Sequence, residues 1–273
     1  MNINRTIALT IAGTITATAA SNTLAGSPQF TLADANSSAV FDIDNGQISW
    51  DVDGTSQLFA QEFYFRRASD QGEVLLSAAN LTLDGVFASD TNSFRDNRND
   101  TLAQLFSDNN GLQIETVFSL RGGTDNSGRS DLAEQIIIRN LSNESMSLSF
   151  FQFVNFDLGA DPGDDYGQII NDNTIRQNDD DYSISETVVT PQPTLFQVGD
   201  AMDMYAMLND GNIDDLDGTN SYQGDVAWAF QWNINLQAGQ SFIISKDKSI
   251  VPTPGSLGLM GLAGLLVASR RRG

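Results

Sequence analysis

The 273-residue sequence contains no cysteine and no histidine. Without cysteine there are no disulfides, so the chain must be held together by its core alone. Without histidine it lacks the commonest general base, the usual zinc ligand and every Ser-His-Asp arrangement. Cations are also scarce: 14 Lys and Arg stand against 35 Asp and Glu, for a formal charge of −21. Nucleic acid is therefore not a partner, because phosphate contacts need clustered Lys and Arg. Sustained helical periodicity is missing from the whole stretch between residues 26 and 249.

What the body does contain is alternation. Residues 27–38 read as a polar leader, and a strand follows at 39–43. Asp44-Asn45-Gly46 turns the chain, and Ile48, Trp50 and Val52 then share one face. Residues 57–67 form a strand with a bulge near Ala60, where the alternation slips. Leu112, Ile114, Thr116, Phe118 and Leu120 alternate strictly, as in a half-buried strand. Ile136 to Ile138 predict a central strand, and Phe150, Phe151, Phe153 and Phe156 load both faces of another. Further strands are predicted at 168–176, 182–189 and 202–208. The strongest signal is Val226, Trp228, Phe230, Trp232, Ile234 and Leu236, which a strand places on one face. Residues 241–245 read as the last strand and 246–249 as a linker. Gly, Asn and Asp turns separate these segments. The fold class is all-β: a large single-domain antiparallel two-sheet sandwich over residues 26–249, with the supersandwich as its fold-level analogue.

The two ends differ from this body. Arg5 precedes an uncharged Ile/Ala/Thr-rich stretch, and small residues follow at Ala17, Ala19 and Ala25. Residues 1–25 thus read as a secretory signal peptide, helical across its apolar part. At the other end Val251, Pro252, Thr253 and Pro254 form a rigid segment that neither a helix nor a sheet interior continues. An uncharged Leu/Gly/Ala run then covers 255–269, and the basic cluster Arg270, Arg271 and Arg272 follows. This reads as a short membrane helix with its arginines on the cytoplasmic side.

That order of parts resembles the C-terminal sorting signal of bacterial PEP-CTERM proteins, the substrates of exosortases, with Thr253 standing where the family has glutamate. The likeness covers residues 251–273 and concerns destination, not chemistry. It implies a sorting motif at Val251, Pro252, Thr253 and Pro254 and a membrane stop at Arg270, Arg271 and Arg272. It also implies passage through the secretion machinery, a transient stay in the inner membrane, and an exosortase-like processing enzyme as partner. The destination would be the envelope or matrix of an exopolysaccharide-making bacterium. Residues 250–273 are assigned to this signal.

Chemistry inside the body has few candidates. Asp210, Asn212, Asp214 and Asp217 offer oxygen ligands at nearly alternate positions, as a calcium loop does. Asp215 stands where an EF-hand needs glycine, so the expected site is a looser calcium loop. Asp157, Asp161, Asp164 and Asp165 form a second acidic stretch, and Asp179 to Asp181 read as a turn. Glu115 and Glu134 would face each other if their strands paired in one particular register, as a glycosidase carboxylate pair must. Lys246 and Lys248 fall in the linker and contribute no chemistry. Trp228 and Trp232 read as core, while Tyr166 and Tyr222, in polar loops, could stack on a sugar ring. The resulting expectation is an exported, surface-sorted sandwich without catalytic activity that associates with exopolysaccharide. The alternatives are a calcium-dependent carbohydrate-binding module and a glycoside hydrolase or lyase.

Overall fold

A computed structural model describes residues 27–92 and 97–253. The signal segment, Pro254 and everything after it, including Arg270, Arg271 and Arg272, lie outside the described residues. Among the described residues no helix is long and apolar enough to cross a membrane.

The chain opens with β1 (Gln29–Asp34), β2 (Ser37–Asp42), β3 (Gly46–Val52), β4 (Thr55–Arg67) and the short β5 (Val74–Leu75). It continues through β6 (Thr82–Ser89), β7 (Thr101–Ser107), β8 (Leu112–Gly122), β9 (Ser130–Asn140) and β10 (Met146–Phe156). A single 3-10 turn leads into β11 (Asp165–Ile170), β12 (Thr174–Asn178), β13 (Tyr182–Thr190) and β14 (Leu195–Asp200). After α1 (Ala201–Asn209) come β15 (Ser221–Gly224), β16 (Val226–Leu236) and β17 (Ser241–Pro252).

These strands form two antiparallel sheets packed face to face. One runs β1-β2-β3-β4-β10-β16-β14, with β5 added beside β4. The other runs β15-β11-β12-β13-β17-β9-β8-β7-β6. The expected two-sheet sandwich is therefore present. The alternation seen in β16 and β10 explains the core. Trp228, Phe230 and Trp232 point inward with Phe150 and Phe156, and the Phe156 ring stacks on Trp228 at 5.5 Å between centroids. Each buried indole finds an acceptor: Trp50 the Ser130 hydroxyl, Trp228 the Glu186 carboxylate and Trp232 the Pro191 carbonyl. The bulge expected near Ala60 falls at Phe59, where the pairing of β4 with β10 skips a residue.

Several expectations need correction. The 27–38 leader contains β1 and the start of β2, because Phe30 and Leu32 alternate with polar residues and pack on the core. Residues 168–176 turn back at Asn171 and Asp172, both at positive φ, so two strands replace one. Residues 202–208 are helical rather than extended. Asp200 caps α1 by accepting from the Met202 and Asp203 amides. Ala201, Met204 and Leu208 recur at helical spacing and cover the outer face of the first sheet, over Tyr64, Phe151, Phe153, Ala227 and Ala229. That cover explains why β10 is apolar on both faces.

The largest correction concerns the supposed linker. Residues 246–249 are the middle of β17, which pairs with β9 on one side and β13 on the other. The inward positions are Ile244, Lys246, Lys248 and Ile250, all buried. The body thus extends past residue 249. Val251 pairs with Ser183, Pro252 with Tyr182, and the Thr253 amide donates to the Asp181 carbonyl. Half of the expected sorting motif is therefore sheet.

Candidate functional site

At one end of the sandwich the β1–β2 turn, the described residues between β6 and β7 (Thr91, Asn92, Arg98 and Asp100) and the end of β8 surround an open groove of about 960 Å³. Its floor depends on two buried carboxylates. Asp34 Oδ1 accepts from Asn92 Nδ2 at 2.8 Å, and its Oδ2 accepts from the Gly122 amide at 2.8 Å. Asp100 Oδ1 accepts from the Thr91 amide and the Thr91 and Thr101 hydroxyls, while its Oδ2 accepts from the Asn92 amide. Burial pushes the Asp100 carboxyl up, but those hydrogen bonds outweigh it and hold it below its ordinary range. Asp34 and Asp100 therefore act as anchors that shape the wall.

The opposite wall is the glycine-rich turn after β8. Its glycines do not leave it loose, because the turn is pinned: Asn36 accepts from the Gly123 amide, and Asp53 accepts from the Asn126 and Gly128 amides at 2.7 Å each. Gly122 is required at its position, because a Cβ there would lie 2.0 Å from the Asp34 carbonyl oxygen. The solvent side of the groove carries Arg98, Arg121, Thr124 and Asp125. Arg98 donates to the Ala35 carbonyl at 3.2 Å. Arg121 is exposed, and its guanidinium has no hydrogen-bonding or ionic partner among the described residues.

The residues singled out in the sequence lie elsewhere. Asp210, Asn212, Asp214 and Asp217 fall in the loop after α1, but their carboxylates do not converge. Asp210 closes its own turn with the amide and side chain of Asn212. Asp217 accepts from the Thr219 amide, and the Asp214 carbonyl accepts from Arg66. Arg66 also pairs with Asp215 and Glu73, so a salt bridge holds this loop. No group of three or more carboxylates able to hold a metal occurs among the described residues. In the second acidic stretch Asp161 and Asp164 are exposed while Asp165 is buried. Burial pushes the Asp165 carboxyl up to about 8, against its Gln177 hydrogen bond and with help from Asp179, Asp164 and Asp157.

Tyr166 and Tyr222 do not form one stacking platform. They lie on the neighbouring strands β11 and β15, but Tyr166 pairs with Gln223 and Gly167 with Tyr222, so the two rings point to opposite faces. Tyr166 is 43% exposed, whereas Tyr222 packs against the core and donates its hydroxyl to Asp200. Glu115 and Glu134 are separated for the same reason. Glu115 pairs with Ile137 and Glu134 with Phe118, so the two carboxylates occupy opposite faces. Glu115 meets Arg139 outside, so the carboxylate pair that one particular register would have made does not form.

Glu134 belongs instead to a charged centre between the sheets. Glu134 on β9, Glu186 on β13 and Lys246 and Lys248 on β17 enter from one sheet; Gln61, Gln152 and Trp228 enter from the other. Lys248 donates to Glu134 Oε1, and Lys246 Nζ lies 2.6 Å from Oε2 of the same carboxylate. Lys246 also lies 3.2 Å from Glu186 Oε1, and over the Phe63 ring. All four charged side chains are fully enclosed. Burial pushes Glu134 up, but the two ammonium groups outweigh it and hold it well below the usual carboxylate range. Burial pushes the Lys248 amine down despite both carboxylates. These tendencies compete within one pair. The ionised carboxylate dominates, because Glu134 has a cation on each oxygen, and Lys248 is left the readier proton donor. Its signal was present in the sequence: Ile244, Lys246, Lys248 and Ile250 share one parity, so any strand that buried the isoleucines had to bury the lysines.

No family model matches the chain, and no curated protein matches it in sequence. In structure it is similar to a bacterial glucoamylase complexed with acarbose, at a TM-score of 0.56 and 9% identity over 90% of this chain. The match spans 36% of the glucoamylase chain. It is also similar to the Slr1438 protein from Synechocystis sp. PCC 6803, at a TM-score of 0.51 and 11% identity, covering 86% of this chain and 99% of that one. A looser likeness, at 0.49 and 10% identity, is to a putative aldose 1-epimerase from Escherichia coli K12. The first two likenesses show a shared fold. They correct the expectation of a protein without catalytic activity. That expectation rested on missing histidine and cysteine, and a sandwich of this architecture forms part of a glucoamylase.

Proposed function

We propose that this chain is an exported envelope or matrix protein that holds a neutral polysaccharide in the groove between Asp34, Asp100 and Arg121. The supporting observation is the groove itself, which has the volume of a ligand cleft and a rim of hydroxyl, amide and guanidinium groups. Among the described residues no tyrosine or tryptophan lines it, so recognition would run through hydrogen bonds to sugar hydroxyls rather than ring stacking. The formal charge of −21 disfavours anionic polymers. Affinity electrophoresis in gels cast with neutral or anionic polysaccharides tests this, with and without calcium. Retardation by a neutral polymer, weakened by Arg121→Ala, is expected. Equal mobility in every gel would overturn the reading. Loss of retardation on chelation would restore the calcium-dependent version.

Export and sorting follow from the two terminal segments and the resemblance of residues 251–273. An exosortase-like enzyme would act beyond Thr253, because Val251 and Pro252 are paired in β17. Intact-mass measurement in an exosortase-bearing host tests this. A mature chain that retains residues 255–272 would remove the processing step.

A second reading, a glycoside hydrolase or lyase, is favoured by the fold shared with the glucoamylase. It predicts new reducing ends or unsaturated products when the protein is incubated with the polymer it binds.

A further inference from the structure

We propose that the sandwich is covalently cross-linked by an isopeptide bond between Lys248 of β17 and Gln61 of β4, formed within the chain with Glu134 as the proton carrier. The geometry assembles four parts of an acyl-transfer site. The nucleophile is the Lys248 amine, 2.5 Å from Glu134 Oε1. The acyl group is the Gln61 carboxamide, whose Nε2 lies 3.0 Å from the same oxygen. One carboxylate oxygen thus bridges the attacking and departing nitrogens. Gln152 Nε2 donates to Gln61 Oε1 at 3.4 Å, where charge would build in the tetrahedral intermediate. Gln61, Gln152 and Lys248 are fully buried, which shields the reacting groups from bulk water as a competing nucleophile.

The step balances without any outside reagent. Lys248 enters as an ammonium and gives one proton to the Glu134 carboxylate. The free amine attacks Gln61 Cδ, the new C–N bond forms, and the carbonyl electron pair moves to Oε1. The former ammonium nitrogen loses a second proton, which Glu134 relays to the departing nitrogen. The Cδ–Nε2 bond breaks, neutral ammonia leaves and the carbonyl reforms. Glu134 ends protonated and the net charge is unchanged. Burial lowers the Lys248 amine toward its neutral, nucleophilic form. The product replaces one buried ion pair by a neutral amide and joins the two sheets of a cysteine-free chain.

Intact mass under denaturing conditions, with a tryptic map of the same sample, tests this on the purified full chain. A mass lower by one ammonia, with the Gln61 peptide joined to an uncleaved peptide spanning Lys248, is the expected result. Full mass with separate Gln61 and Lys248 peptides would overturn it, and so would a bridge through Lys246. Glu134→Gln should restore the full mass. If that variant does not fold, the wild-type map decides alone.

Discussion

Lys246 on β17 lies directly opposite Glu134 on β9, and neither side chain touches solvent. The pair sits at the centre of a sandwich whose other inward residues are mostly aromatic and aliphatic. Lys246 faces Glu134 and Glu186 whether or not Lys248 is cross-linked, so removing it leaves an uncompensated buried carboxylate. Lys246→Met should cost about 3–5 kcal/mol, read from urea unfolding. A cost below about 1 kcal/mol, the scale of an exposed pair, would show that the centre is hydrated.

Asp165 makes a pH-dependent contribution. Its folded value near 8 lies above its ordinary 3.8. Between those values the folded chain keeps a proton that the unfolded chain has released. Stability from this group is therefore complete below about 4, falls as pH rises, and is lost above about 8. Asp165→Asn mimics the protonated acid. It should match wild type at the acidic end and exceed it in urea midpoint at the alkaline end. A variant equally destabilised at both ends would contradict the assignment.

Asp200 does two jobs at once. It caps α1 and accepts the Tyr222 hydroxyl. Asp200→Ala should cost roughly 0.5–2 kcal/mol from the cap. Asp200→Asn should retain most of that stability in thermal unfolding, since either side chain accepts from the helix amides.

Arg121 is the groove residue best suited to mutation, because its guanidinium makes no hydrogen bond or ion pair among the described residues. Arg121→Ala should weaken polysaccharide binding about tenfold, the loss of one hydrogen bond to a charged group, with no change in unfolding midpoint. A fall in midpoint with unchanged binding would place the ligand elsewhere.

The strands with the cleanest alternation were the most legible. Val226 to Leu236 and Leu112 to Leu120 read correctly because one face of each meets the core. Residues 202–208 show no clear period, because all but Asp203 are apolar or aromatic and no single face stands out; the Asp200 cap and the sheet beneath decide the helix. β17 was cut short because lysine reads as solvent-exposed. The shared parity of Ile244, Lys246, Lys248 and Ile250 is in the sequence, but the partners that make burial of the lysines tolerable, Glu134 and Glu186, come from other strands. None of the groove residues carried a motif. Asp34, Asn92, Asp100 and Gly122 are far apart in sequence and meet through strand pairing.

By itself the sequence determined the all-β class, the aromatic core faces, the absence of disulfides and the acidic surface, since each follows from residue type and period-two spacing. It also carries the terminal segments on which the export reading rests. Tertiary structure alone decided which carboxylates meet which cations. A register shift of one residue moves a side chain to the other face, and no local pattern sets that shift. For that reason Glu115 went outward to Arg139, and Glu134 went inward to Lys246 and Lys248.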